Sequence, residues 1–119
     1  MKADVVIIGG GVMGSSTAYN LLHDGFSGRV VVIEKDLSYK YASSALSVGG
    51  IRQQFGTRVN IELSRYSVSF YEQASRWLAV DDQELDLGLE QIGYLFLASE
   101  SGWEVLRRRY QLQTSLGVE

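Results

Sequence analysis

The sequence has 119 residues, of which 45% are apolar, and carries a net charge of −3 at pH 7. An acidic chain lacks the basic patch that nucleic-acid binding needs, so we expect no nucleic-acid partner. Because there is no cysteine and only one histidine, disulfides, thiolate metal sites and a histidine-rich metal centre are excluded, and we expect no metal site.

No apolar run approaches the ~20 residues of a membrane span, so we expect none. Because the first apolar run begins almost at Met1, we expect no targeting segment. The lack of cysteine fits a reducing compartment. These features predict a cytoplasmic protein.

The chain opens on a pattern typical of nucleotide binding. Residues 3–8 are a short apolar run that predicts a buried parallel strand. Gly9, Gly11 and Gly14 follow at the G-x-G-x-x-G spacing. Gly9 permits the tight turn, Gly11 lets a diphosphate approach the backbone, and Gly14 lets the next helix lie close to the strands.

Residues 12–23 predict that helix, which Gly25 would end. Amide groups at its start, including those of Val12 and Met13, would face the diphosphate with the positive end of the helix dipole.

A second strand is predicted over residues 29–34 and completes a βαβ unit. It ends at Glu34, 20 residues past Gly14, where a carboxylate accepts hydrogen bonds from adenosine ribose hydroxyl groups. Lys35 belongs to the same predicted site. The carboxylate would repel a 2′-phosphate, which disfavours NADP.

Beyond this unit the sequence alternates between flexible and regular segments. Small residues dominate 42–50, and this run either lies against a ligand or forms a surface loop. Thr57 predicts the start of a helix that runs to about Leu78. Its expected core face consists of Val59, Leu63, Tyr66, Phe70 and Trp77.

The last third of the chain predicts a hairpin and a helix. Residues 92–98 are the best strand candidate outside the first unit, and Leu87 and Leu89 are assigned to its hairpin partner. A final helix ends at Gly117. Two parallel strands alone leave sheet edges and half of a nucleotide crevice unbuilt. We therefore expect the chain to be the N-terminal portion of a longer protein, or to need further polypeptide or a subunit.

Two pairs of motifs resemble known flavoproteins. The residues 5–11 and 32–35 resemble the start of a flavoprotein of the D-amino acid oxidase superfamily. The stretches 47–55 and 93–98 together resemble its branch of sarcosine, dimethylglycine and L-proline dehydrogenases. They also resemble a branch linked to the assembly of respiratory complex I. The similarity covers essentially the whole chain.

The resemblance implies an α/β fold in which a Rossmann-like FAD-binding βαβ unit is followed by a helix, a β-hairpin and a helix that begin a substrate lobe. The polar run 81–84 breaks the helical pattern and marks a lobe boundary. We therefore assign residues 1–80 to the N-terminal part of the FAD-binding domain and 81–119 to the start of a truncated substrate domain. The resemblance also implies oxidation of the C–N bond of a small amino acid or secondary amine, with the electron acceptor left open.

The resemblance further implies positions for the cofactor. Glycines 9, 11 and 14 would contact its diphosphate and Glu34 its ribose. Ser43 and Ser44 would approach the diphosphate, and Gly49, Gly50, Ile51 and Arg52 would pass near the flavin ring. Some relatives attach FAD covalently through a histidine in the segment that matches 43–50. Since no histidine lies in this segment, the FAD is expected to be non-covalent. Arg52 is the candidate catalytic residue, as a positive charge beside the flavin; the alternative role is a structural ion pair.

Three other functions stay open. The glycine loop and Glu34 also suit an NAD-dependent dehydrogenase, from which the stretch 49–55 points away. A non-catalytic assembly factor could retain the flavin fold, because fold does not fix function. The chain could also be an inactive fragment.

Overall fold

The computed structural model describes residues 2–119. Two compact units are present, one ending at Gly50 and the other spanning Ile51–Glu119. The assignment of 1–80 to an FAD-binding domain and 81–119 to a substrate domain stays a prediction. Within the described part of the chain, no helix combines the length and the apolar character needed to cross a membrane.

The first unit consists of β1 (Val5–Ile8), α1 (Val12–His23) and β2 (Val30–Ile33). The strands pair in parallel, with Val5 opposite Val30, and both are built from β-branched residues that suit extended backbone. Gly25 follows the helix with a φ of +85°, a left-handed conformation that ends helices. The predicted strand–helix–strand order is confirmed.

The close packing of α1 on the strands depends on Gly14. A Cβ atom at this position would lie 1.9 Å from the carbonyl oxygen of Gly9 and 3.1 Å from a methyl carbon of Ile7. Gly9 has a φ of +99°, which residues with a side chain rarely adopt. These values match the conformational roles predicted for both glycines.

The two-stranded sheet is covered on one face. Helix α1 packs against both strands, but Val6 and Ile8 on β1 are 53% and 87% exposed. Among residues 2–50, only Gly10 is buried. Because parallel sheets are normally covered on both faces, this apolar surface agrees with the expectation that further polypeptide is needed.

The second unit contains α2 (Arg58–Trp77), a 3₁₀ turn (Glu100–Gly102) and α3 (Trp103–Ser115). Its buried apolar residues are Ile61, Ala74 and Val118. The predicted core face of the first of these helices is wrong, because Val59 and Leu63 are 58% and 60% exposed. A helix buries only the sides on which other segments pack, and in this unit those sides carry other residues.

The end of α3 is fixed by α2. The guanidinium group of Arg65 donates a hydrogen bond to the carbonyl oxygen of Leu116, and Gly117 follows with a φ of +76°. A Cβ atom at Gly117 would lie 3.1 Å from Nη2 of Arg65. A cation at a helix C-terminus also interacts favourably with the helix dipole. The predicted end of the last helix at Gly117 is confirmed.

The predicted β-hairpin is wrong for the residues that the structure describes. Neither residues 92–98 nor the segment with Leu87 and Leu89 forms a strand, and the isolated antiparallel bridge in this region joins Val80 to Gln83. The rings of Tyr94 and Phe96 stack with their centroids 6.5 Å apart, as side chains two residues apart on extended backbone can. The composition therefore favours extended backbone here, but a strand also needs a hydrogen-bonded neighbour.

We predict that Gly14→Ala destabilises the first unit by about 2–3 kcal/mol, because the new methyl group would overlap a backbone carbonyl group that cannot rotate away. Gly11→Ala is the matched control, since a Cβ atom there meets no atom within 4 Å. We expect this control to cost less than about 1 kcal/mol. Urea unfolding followed by circular dichroism measures both, and equal losses in the two variants would contradict the packing argument.

Candidate nucleotide-binding site

The candidate site lies where both strands of the first unit end. Because β1 and β2 are parallel, their carboxyl ends meet at one edge, which is where nucleotides bind in open α/β sheets. The amide group of Gly9 donates a hydrogen bond of 2.8 Å to the carbonyl oxygen of Ile33. This bond extends the ladder into the loop and brings the glycines beside Glu34.

The carboxylate of Glu34 is held by two backbone amide groups. Its Oε2 accepts a hydrogen bond of 2.7 Å from the amide of Gly10, and its Oε1 accepts one of 2.9 Å from the amide of Asp36. The bond from Asp36, followed by that from Gly10, lowers the pKa of Glu34 below its ordinary value. Glu34 is half-buried. Because its pKa is lowered and each of its oxygens accepts a hydrogen bond, the side chain is ionised and held in one orientation at neutral pH.

The start of α1 is open to an anion. Gly11 precedes the helix with extended backbone, no side chain caps the first turn, and that turn has no acidic residue. Val12 and Met13 are 52% and 80% exposed. Uncapped amide groups and the positive end of a helix dipole favour a bound diphosphate.

These features together fit a dinucleotide. Gly11 leaves room for a diphosphate, because no atom lies within 4 Å of a Cβ built there. Glu34 supplies an oriented acceptor for ribose hydroxyl groups. Lys35 is exposed next to it, and its role in the site stays a prediction.

Sequence reasoning missed Gly10, which occupies a free position of the glycine motif. Gly10 is buried, its amide group bonds Glu34, and its carbonyl oxygen accepts a hydrogen bond of 2.6 Å from Oγ of Ser15. A Cβ atom at Gly10 would lie 3.3 Å from Cβ of Glu34. The run of three consecutive glycines was the available signal, since the motif requires only the first and third of them.

The other predicted cofactor residues of the first unit lie in irregular structure. Ser43 and Ser44 are exposed and belong to a series of turns, and the carbonyl oxygen of Ser44 accepts a hydrogen bond of 2.9 Å from Oγ of Ser47. Gly49 has a φ of +68°, and it and Gly50 are exposed. No hydrogen bond among residues 2–50 joins Ser43 or Ser44 to the glycine loop, so their contact with a diphosphate stays a prediction.

Ile51 and Arg52 belong to the second unit. The guanidinium carbon of Arg52 lies 4.5 Å from the ring centroid of Phe55 and 5.9 Å from that of Phe96. Both distances are typical of cation–π interactions. Arg52 thereby contacts one aromatic ring in each of the stretches 47–55 and 93–98. The alternative role as an ion pair has no support within residues 2–119, whose salt bridges join other side chains.

A family model described as FAD dependent oxidoreductase matches residues 4–119. The chain belongs to this family. Its cofactor is therefore FAD. That the glycine loop, the open start of α1 and Glu34 hold this cofactor stays a prediction.

The chain is also similar to several curated proteins over nearly its whole length. FAD-dependent oxidoreductase domain-containing protein 1 of Bos taurus is 45% identical over 99% of this chain and 25% of its own length. Its Xenopus laevis counterpart is 43% identical over 99% of the chain and 24% of its length. A putative Rieske 2Fe-2S iron-sulfur protein of Bacillus subtilis (YhfW) is 31% identical over 99% of the chain and 25% of its length.

The chain thus spans about a quarter of the length of these relatives. No solved structure matches it.

The hydrogen bonds to Glu34 predict a pH dependence of stability. Since the pKa of Glu34 is lowered in the folded state, ionised Glu34 stabilises the fold above the ordinary glutamate pKa of about 4.3. That stability is lost as the pH falls through the lowered value. We expect the wild-type free energy of unfolding to fall more steeply between about pH 6 and pH 3 than that of Glu34→Gln.

Denaturant unfolding at a series of pH values measures this difference. Glu90→Gln, at an exposed position, is the control and should keep the wild-type slope. A slope in Glu34→Gln equal to that of the wild type would show that the two amide bonds do not hold the carboxylate in solution.

Proposed function

We propose that this chain forms the adenosine- and diphosphate-binding part of a flavoprotein that oxidises the C–N bond of a small amino acid or secondary amine of the sarcosine or proline kind. The observation that carries the cofactor part is the Glu34 carboxylate, held by the amide groups of Gly10 and Asp36 beside an uncapped helix start. The substrate class is supported by the resemblance of stretches 47–55 and 93–98 to amine dehydrogenases.

The predicted cofactor-binding residues of the first unit each have a role in this proposal. Glu34 accepts hydrogen bonds from the ribose, and its charge disfavours a 2′-phosphorylated nucleotide. Amide groups at the start of α1 bind the diphosphate, and Gly11 leaves its approach clear. The hydroxyl groups of Ser43 and Ser44 donate hydrogen bonds to the same diphosphate. When bound, FAD supplies the capacity to take a hydride equivalent from the substrate.

Arg52 is proposed to act on the flavin side of the reaction. Its positive charge would favour electron density arriving at a nearby flavin ring, while the rings of Phe55 and Phe96 keep its guanidinium group in place. Gly49, Gly50 and Ile51 would line the approach to that ring. Because the chain spans about a quarter of its relatives' length, the remaining substrate contacts and the site of electron transfer belong to the whole protein. A cytoplasmic location is part of the proposal.

We predict that the full-length protein purifies with FAD that is released on denaturation, and that Gly11→Ala lowers FAD affinity by tenfold or more. The added methyl group would occupy the space that the diphosphate needs, without meeting a protein atom within 4 Å. Gly102→Ala is the control, because a Cβ atom there makes only ordinary contacts of 3.6 Å. Flavin fluorescence on titration of the apoprotein measures the affinity. A colourless protein that NAD protects against heat would instead favour a nicotinamide-dependent dehydrogenase.

We further predict that Arg52→Ala in the full-length protein slows flavin reduction by sarcosine or proline roughly tenfold, which corresponds to a loss of about 1.4 kcal/mol of transition-state stabilisation. Stopped-flow absorbance of the flavin measures the rate. Arg58→Ala, which breaks an exposed ion pair with Glu62, is the control. Equal reduction rates in Arg52→Ala and the wild type would show that Arg52 does not contribute to flavin reduction.

A further inference from the structure

A tight turn after β2 fixes the position of Tyr39. The amide group of Tyr39 donates a hydrogen bond of 3.1 Å to the carbonyl oxygen of Asp36. Oδ1 of Asp36 accepts hydrogen bonds of 3.0 Å from the amide and 2.7 Å from the hydroxyl group of Ser38. Tyr39 has a φ of +54°, which is uncommon for a residue other than glycine. The turn thus determines where the Tyr39 side chain extends.

The phenol group of Tyr39 reaches back to the glycine loop. A Cβ atom at Gly10 would lie 2.9 Å from the Tyr39 hydroxyl oxygen and 3.3 Å from Cβ of Glu34. The hydroxyl group, the glycine loop and the Glu34 side chain therefore meet at one place. The sequence motifs did not mark Tyr39, since it lies five residues past Glu34 in an irregular segment.

The Tyr39 hydroxyl group is available to a ligand. It forms no hydrogen bond with any residue in the range 2–119, and Tyr39 is 39% exposed. A phenol hydroxyl group both donates and accepts, whereas an ionised carboxylate only accepts. A donor near the Glu34 side chain suits two neighbouring hydroxyl groups, as in a ribose, because one ribose hydroxyl can donate to the carboxylate while the other accepts from the phenol.

We propose that the Tyr39 hydroxyl group is a further cofactor contact, which donates a hydrogen bond to a ribose hydroxyl group of the adenosine half of FAD. This inference rests on the proposed function, because it uses the ribose position that Glu34 defines. Tyr39 would then help the site to distinguish ribose from deoxyribose, and it would add affinity on the side of the cofactor remote from the flavin.

Nucleotide titrations of the full-length apoprotein test this contact. Tyr39→Phe, which removes the hydroxyl group and keeps the ring, should weaken FAD and ADP binding about three- to tenfold, the range for one neutral hydrogen bond. The loss should disappear with 2′-deoxy-ADP or with 3′-deoxy-ADP, depending on which hydroxyl Tyr39 contacts. Tyr41→Phe, two residues along and 73% exposed, is the control and should bind like the wild type.

A second measurement tests the geometry without any nucleotide. Gly10→Ala should destabilise the apoprotein less in a Tyr39→Phe background than in the wild type, because the nearest clashing atom is gone. Strictly additive losses would overturn the inference. Wild-type FAD affinity in Tyr39→Phe would overturn the inference alone. A wild-type protein that binds neither FAD nor ADP would overturn the proposed function and this contact with it.

Discussion

The hydrogen bond from the amide of Gly10 to the carboxylate of Glu34 is the constraint on which the site depends. It joins the loop after β1 to the residue after β2, so the turn and the acid hold each other in register. A carboxylate offers about four lone-pair positions, and the amides of Gly10 and Asp36 take one on each oxygen. Each oxygen therefore keeps acceptor capacity for a ribose hydroxyl group, and one side chain can serve both the protein and the cofactor.

The parts of the fold that were predictable from the sequence are those with local causes. The β-branched runs, the glycine spacing and the acid at the end of β2 specify the first βαβ unit within 34 residues, and the structure has that order. The conformation of Gly9 and the crowding at Gly14 follow from the same motif. The role of Gly10 was not predicted because any residue is allowed at its position of the motif, although its amide group donates the hydrogen bond to Glu34.

The parts that were not predictable depend on what packs alongside. Residues 92–98 have a composition that favours extended backbone, but pairing requires another strand, which residues 2–119 do not supply. Likewise, periodicity gave α2 an apolar face without showing where a neighbour would lie, and Val59 and Leu63 stay exposed. The motif at 47–55 identified Arg52, yet its position over Phe96 depends on chain folding that spacing alone does not encode.

The parallel pairing of β1 with β2 has a consequence for how the protein is made. Val5 pairs with Val30, so Val30 must leave the ribosome before this pair can form, and closing a loop of that length carries an entropic cost. Until then the apolar side chains of both strands are exposed to solvent, and Ile8 stays largely exposed after the strands have paired. Nascent chains with such surfaces are prone to aggregate and depend on chaperones. We therefore expect aggregation during synthesis to depend on how quickly β1 and β2 pair and are covered by other segments.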